Sequence, residues 1–255
     1  RLAAYIEKNS KLKRQVKGAM VYPIAILGVM AVIMYVIMRY VVPTFEKMFS
    51  EVGAELPVPT QILIGMSNAI VNYGIYAILG GIAFSFAFKR VLDTEAGRRL
   101  WDAILLKMPV FGDLLRKVAV ARFCRTLGTM ISSGVPILDA LEICSRSAGN
   151  MVVEAAIMKT RESISEGRTI AEPLAESGVF PGMVCQMINV GEATGALDTM
   201  LTKIADFYDD EVEVAVAGIT SLIEPFIIVF LGVVVGGLVV ALYLPIFSMA
   251  GAVSG

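Results

Sequence analysis

Three stretches of the chain carry an apolar pattern unbroken by charge. They are Ala19–Met38, Leu56–Phe88 (densest over Ile70–Phe88) and Pro225–Gly255 (densest over Pro225–Leu244). Each dense core is about 20 residues, enough to cross ~30 Å of hydrocarbon at 1.5 Å per helical residue. Separated single spans must be helical, because every backbone N–H and C=O has to be satisfied within its own segment. Elsewhere apolar residues recur at three- and four-residue spacing, with no strand-like alternation of useful length. The pattern predicts an all-α polytopic membrane protein with three transmembrane helices and an antiparallel helical-bundle domain between the second and third.

The divisions follow from the same pattern. Residues 1–17 read as the last helix of a truncated first cytoplasmic domain, 18–42 as transmembrane helix 1, and 43–69 as an outer loop. Residues 70–88 are transmembrane helix 2, 89–216 the bundle, 217–244 transmembrane helix 3 and 245–255 a tail. Within the outer loop Thr44–Val52 is helical in pattern, and Glu55-Leu56-Pro57-Val58-Pro59 breaks it. In the bundle, helices are expected over Thr94–Lys107, Gly112–Ser133, Pro136–Ser147, Met151–Glu166, Ile170–Ser177 and Pro181–Glu192. A last one, with Asp198 in its first turn, runs through Leu201–Val216 into the third span. Gly134 is a natural helix stop and Pro136 a natural start. Thr169-Ile170-Ala171-Glu172 has the form of a capping box, in which the threonine hydroxyl and the glutamate serve each other's end of the turn.

The two ends of the chain repeat one another at an ungapped offset of 202. Arg1-Leu2-Ala3 aligns with Lys203-Ile204-Ala205, Tyr5 with Phe207, Pro23 with Pro225, Pro43 with Pro245 and Phe45 with Phe247. The same charged helix feeding a span therefore occurs twice, the signature of a duplication. The first copy lacks what should precede it, and the chain begins with Arg1, so an upstream part is expected.

Composition sharpens this reading. The 255 residues are 56% hydrophobic and only 18% charged, with mean hydropathy +0.73; a soluble domain carries about 25% charged residues. A signal peptide does not account for the first span, which is too long and has no small-residue cleavage site after Arg39-Tyr40. Net charge is −1 and uninformative, but of 22 Lys and Arg six precede the first span, fourteen lie between Lys89 and Lys203, and only Arg39 and Lys47 lie at or just beyond its far end. The positive-inside rule then puts the N-terminus and the bundle in the cytoplasm, with residues 43–69 and the C-terminal tail outside.

Candidate chemistry is sparse. The chain has no histidine, which removes the commonest general base and metal ligand, and no phosphate-binding G-x-x-x-x-G-K-[ST]. Cys124, Cys144 and Cys185 fit no metal spacing and read as reduced core thiols. No catalytic residue, cofactor or metal is expected, and no nucleic acid. Glu224 at the mouth of the third span has no intramembrane partner for proton relay, and Arg39 can snorkel to the interface.

Arg116, Lys117, Arg122 and Arg125 form a basic stripe that reads either as a solvated face near anionic lipid or as a docking patch for an acidic partner. The acidic run Asp206, Asp209, Asp210, Glu211 and Glu213 is expected to pair with basic groups, Lys11, Lys13, Arg14 and Lys17 being the first candidates. Metal binding by that run has no support in its spacing. Gly232, Gly236 and Gly237 make a G-x-x-x-G face that either packs on the chain's own spans or forms an intersubunit contact.

Several motifs in order resemble one family. Gly191-Glu192-Ala193-Thr194-Gly195-Ala196-Leu197-Asp198 is similar to its signature turn, in which Gly191, Glu192, Gly195, Leu197 and Asp198 carry the match. Ser133-Gly134-Val135-Pro136 and Phe180-Pro181 resemble its helix starts. Met20-Val21-Tyr22-Pro23 with Val42-Pro43-Thr44-Phe45, and Leu222-Ile223-Glu224-Pro225 with Leu244-Pro245-Ile246-Phe247, resemble its first and last spans. The family is the inner-membrane platform protein of type IV pili and type II secretion systems (PilC/GspF), and the resemblance covers essentially the whole chain.

The resemblance implies a non-catalytic scaffold, with two homologous cytoplasmic domains of which the first is here missing but for its last helix. It implies a hexameric assembly or retraction ATPase, pilin or pseudopilin subunits, other inner-membrane assembly proteins, membrane lipid and further copies of the chain as partners. Asp209–Glu213 and the Leu-Tyr-Leu-Pro-Ile-Phe ending favour the pilus branch over the secretion branch. Against a secondary transporter stand the three spans and the lack of paired intramembrane charges. Against an intramembrane enzyme stand the absence of His and of a nucleophile motif.

Overall fold

The computed structural model describes Gly18, residues 21–52 and residues 57–253. The expected helix 1–17, with Lys11, Lys13, Arg14 and Lys17, lies outside the described residues, as do Glu55 and Leu56. All regular structure among the described residues is helical. The helices are α1 (21–36), a π-helical segment Ile37–Val41, α2 (Val42–Val52), α3 (Val58–Leu92), α4 (Glu95–Lys107), α5 (Phe111–Ser132), α6 (Ile137–Ser147), α7 (Met151–Ser165), α8 (Ala171–Glu176), α9 (Gly182–Thr194) and α10 (Leu197–Val253). Two helices, Val21–Phe49 and Leu197–Pro245, are long and apolar enough to cross a membrane; a third crossing is made if Val58–Ala77 and Leu79–Leu92, which meet at 45°, act as one span.

The chain divides into two compact units, Arg1–Phe86 with Thr220–Gly255, and Ala87–Ile219. In the first unit, Met38, Val42, Leu63 and Ala241 form a small buried cluster. Its polar contacts follow from proline chemistry. Pro245 has no N–H, so it cannot close the helical bond to the Ala241 carbonyl four residues back. Thr60, itself 3% exposed, supplies the missing donor from α3: its hydroxyl donates to Ala241 O at 2.6 Å.

The matching proline of the first repeat has the same consequence in another register. Val42 N–H donates to Ile37 O, a five-residue step that defines the π segment. The Met38 carbonyl therefore needs a donor at position 43, which is proline. Ser67 on α3 donates its hydroxyl to Met38 O instead. Thr60 and Ser67 are seven residues apart, two helical turns along one face. One face of α3 thus repairs both proline defects of the duplicated segment. The repeats are not structurally identical, since α10 passes the positions matching Ile37–Val41 as ordinary α-helix.

The second unit is a helical bundle around Val120, Phe123, Cys124, Leu127, Leu141, Ile157, Leu174, Ile188, Leu201 and Ile204, all essentially inaccessible to solvent. Phe123 and Phe180 stack at a tilt with ring centroids 5.0 Å apart. Consecutive helices are punctuated by side-chain caps and by glycine at the turns. Thr94 caps α4, accepting from Gly97 N, Asn150 caps α7, accepting from Val152 N and Val153 N, and Gly134, Gly149, Gly167, Gly178 and Gly195 take left-handed conformations at turns. Cys124, Cys144 and Cys185 are unpaired and buried. Burial pushes the Cys144 thiol up to about 12 and Cys124 higher still, so both remain protonated.

The capping box does not form. α8 begins at Ala171 without a side-chain cap, and the Ile170 N–H donates instead to both carboxylate oxygens of Glu192 on α9, at 3.2 and 3.0 Å. Glu172 turns toward Arg168, 3.4 Å away. A tertiary acceptor outcompetes a local one because it satisfies the orphan N–H and ties two helices together in the same contact.

Candidate functional site: the charged contact of α5 with α10

The geometry starts at the turn between α9 and α10. Gly195 adopts φ 71°, ψ 10° at the end of α9, a conformation that costs an L-residue about 1–2 kcal/mol. Gly191, one turn earlier, lies beneath the start of α10: a Cβ there would meet Leu197 Cα and Met200 Cβ, each at 3.1 Å. Glu192 is spent on α8, as above. Leu197 opens α10 and Asp198 occupies its first turn, where a carboxylate opposes the positive helix end. The five residues of the signature turn therefore have separate tasks: close approach, a tertiary cap, chain reversal, core contact and helix start.

That turn launches α10 against α5. Gly128 permits the closest approach, since a Cβ there would lie 3.2 Å from Leu201 Cβ and 3.6 Å from Asp198 O. Farther along, Arg125 reaches Asp206 at 2.6 Å and Asp209 at 2.7 Å. Beyond that, Lys117 binds Glu211 at 2.9 Å and its own helix neighbour Asp113 at 3.1 Å. The descending order on α5 against the ascending order on α10 makes the pair antiparallel. Hydrogen bonding to Glu211, then to Asp113, holds the Lys117 ammonium above its usual range. Arg125 is also raised; burial pulls its value down, but the bonds to Asp206 and Asp209 prevail.

Among the described residues Asp206, Asp209 and Glu211 of the acidic run find cations within the bundle, on α5; the expected pairing with Lys11, Lys13, Arg14 and Lys17 lies outside the described residues. Sequence reasoning could not see this, because both partners are separated by most of the bundle and only the fold brings them together. Arg122 serves another internal end: its guanidinium donates to Ser147 O at 3.2 Å, capping the C-terminus of α6. The Nε of Arg116 is buried without a hydrogen-bond partner. Three of the four residues of the basic stripe are therefore engaged inside the unit.

No group of three or more potential metal ligands gathers among the described residues. Gly232, Gly236 and Gly237 have no atom within 4 Å of their Cβ positions, so this face of α10 does not pack on the chain's own spans among the described residues. The buried groups missed from sequence, Thr60, Ser67 and Asp102, each sit where a backbone donor or acceptor lacks a helical partner; the prolines at 43 and 245 were the available signal.

The profile of the family described as Type II secretion system (T2SS), protein F matches residues 123–245. The chain is 56% identical over 253 residues to Type IV pilus assembly protein PilC of Myxococcus xanthus, covering 99% of this chain and 61% of that protein. It is 41% identical over 254 residues to Type IV pilus assembly protein PilC of Pseudomonas aeruginosa, covering 99% of this chain and 68% of that protein. Type II secretion system protein F of Pseudomonas aeruginosa is 32% identical over 248 residues, covering 97% of this chain and 61% of that protein. The chain spans about three fifths of the length of the Myxococcus xanthus relative.

Proposed function

Because the chain belongs to the family of type IV pilus assembly PilC and type II secretion F proteins, we propose that it serves as a non-enzymatic inner-membrane platform of a type IV pilus assembly machine. In this reading it couples a hexameric cytoplasmic ATPase to extraction of pilin from the bilayer and its addition to a filament. The observation that carries the pilus assignment is the gradient of identity, 56% and 41% to proteins named for pilus assembly against 32% to a secretion protein. The second reading, a platform driving a secretion pseudopilus, rests on the matching T2SSF profile.

The charged contact suits such a role because it lies on α10, the helix that also carries a membrane-length apolar stretch. Movement imposed on α5 would reach α10 through Arg125 and Lys117, whose ion pairs leave little slack. The α5 stripe remains a candidate docking surface for the ATPase, with Arg116, Lys117, Arg122 and Arg125 as its residues. The open Gly232–Gly237 face is a candidate contact between copies. The distribution of basic residues supports an orientation with the N-terminus and bundle in the cytoplasm and the C-terminus in the periplasm.

The test is complementation in a strain lacking its pilus platform, using full-length protein that carries this segment. Pili should be restored, and the protein should co-purify with the assembly ATPase. Restored secretion without pili would select the second reading; neither would remove both. Alkaline phosphatase fused after residue 255 should be active, and an inactive fusion would overturn the orientation.

A further inference from the structure

The amphipathic character of α4 is turned outward. Its polar Asp102 is buried at 8% exposure and accepts from Met151 N at 2.8 Å, fastening α4 to the start of α7. Leu106 on the same face packs against the bundle core. The opposite face presents Leu100, Trp101 and Ile104, 65%, 38% and 45% exposed. The turn that follows continues it: Met108, Val110 and Phe111 are all exposed. Val110 has φ 69° and ψ −57°, and Phe111 N donates to Pro109 O at 2.8 Å. This is the γ-turn that β-branched residues ordinarily avoid. A helix in water would not bury its acid and expose a large apolar face together with the chain's single tryptophan.

The surroundings identify what covers that face. The last turns of α3, from Ala87, belong to the same unit as α4. Phe88 meets Trp101 edge-on with ring centroids 5.2 Å apart. A Cβ at Gly97 would strike the Val91 carbonyl, so α4 is pressed against the end of α3. Phe88 is the last apolar residue of α3 before Lys89 and Arg90, which stand in its final turn. Lys107 borders the outward face of α4, while Arg98 and Arg99, one turn before Asp102, are exposed toward its other side, with Asp93 and Glu95 nearby. An apolar face with Lys107 at its border, fixed to a helix end that carries Lys89 and Arg90, has the chemistry of a headgroup-level anchor.

We infer that α4 and the Met108–Phe111 turn form an interfacial anchor that lies in the leaflet at the end of α3 and binds anionic phospholipid, with Trp101 at headgroup depth. The inference rests on α3 crossing the membrane. Leu100, Ile104 and Phe111 enter the acyl boundary, while Lys89, Arg90 and Lys107 hold phosphate groups. The anchor fixes the bundle's entry point against the bilayer, so that force delivered to the bundle is resisted by lipid at α4.

Trp101 reports its own position. The 255-residue chain is reconstituted into phosphatidylcholine vesicles with or without phosphatidylglycerol, and with bromine carried either high on the acyl chain or near its methyl end. The expected result is a blue-shifted emission that loses more intensity to the shallow bromines, loses more still with phosphatidylglycerol present, and recovers when salt is added. L100S/I104S should abolish the quenching and leave the thermal transition of the bundle unchanged, because both side chains are exposed. Emission that is unquenched by lipid yet shielded from iodide means that a protein or a second copy covers the face, which overturns the inference. Quenching indifferent to phosphatidylglycerol and salt overturns the anionic preference, and quenching retained in the double variant overturns the assignment to α4. A chain that fails to float with vesicles at alkaline pH refutes membrane insertion itself. A chain that floats with Trp101 exposed to iodide refutes only the anchor.

Discussion

Replacing Thr60 with Val removes the one donor that compensates for Pro245. The change keeps the side-chain shape and deletes the hydroxyl that donates to Ala241 O at 2.6 Å. With no N–H at position 245, that carbonyl then has no helical donor, in a site where Thr60 is 3% exposed and bilayer water is absent. Leaving a buried acceptor unsatisfied costs about 1–3 kcal/mol in soluble proteins, whereas side-chain bonds between membrane helices average ~0.6 and reach ~1.7 kcal/mol. The site belongs near the upper membrane value, because the unfolded chain in lipid keeps the same proline defect. Thr60→Val should therefore destabilise by about 1–1.7 kcal/mol. Pro245→Ala restores an N–H four residues after Ala241, and in that background Thr60→Val should cost less than about 0.5 kcal/mol. The assay is reversible unfolding in mixed micelles with a double-mutant cycle, using a reporter pair across α3 and α10. Equal costs in the two backgrounds would refute the reasoning, since the hydroxyl would then be stabilising something other than the proline's orphan.

Arg125→Gln should cost about 1–3 kcal/mol, because Asp206 and Asp209 lose the guanidinium between them while remaining close to one another; further change to Asn at both aspartates should recover part of it, read by chemical denaturation. Gly195→Ala and Gly191→Ala should each destabilise the bundle by roughly 1–2 kcal/mol, the first through the left-handed backbone and the second through overpacking on Leu197 and Met200; a neutral Gly191→Ala in a thermal melt would contradict the close approach. Lys117→Met should lose about 0.5–1 kcal/mol at pH 8. The folded-state pKa of Lys117 is raised, so its contribution is present below the ordinary lysine value of 10.5 and lost as pH rises through the folded value; the gap between variant and parent should narrow above that point. Cys124, Cys144 and Cys185 should resist maleimide at neutral pH until the bundle unfolds, followed by mass spectrometry, and rapid labelling of the folded protein would refute their burial.

Local chemistry made much of the chain legible without coordinates. Apolar runs too long for a soluble core announced the membrane helices, and several bundle boundaries followed from residues that act on their own backbone: Pro136 and Pro181 at helix starts, Gly134 and Gly195 at stops. The repeat revealed Pro43 and Pro245 as equivalent, and the glycines of Gly191–Asp198 signalled the turn between α9 and α10.

What the sequence could not disclose was who answers whom across the fold. Glu192 rather than the adjacent Glu172 serves the start of α8, and Arg125 and Lys117 of α5 meet Asp206, Asp209 and Glu211 on α10. Thr60 and Ser67 repair carbonyls far away in the chain. Caps, periodicity and proline effects act over a few residues, so they are written in local sequence. The choice among many possible donors and cations is made by distance in space, and only the packed helices set that distance.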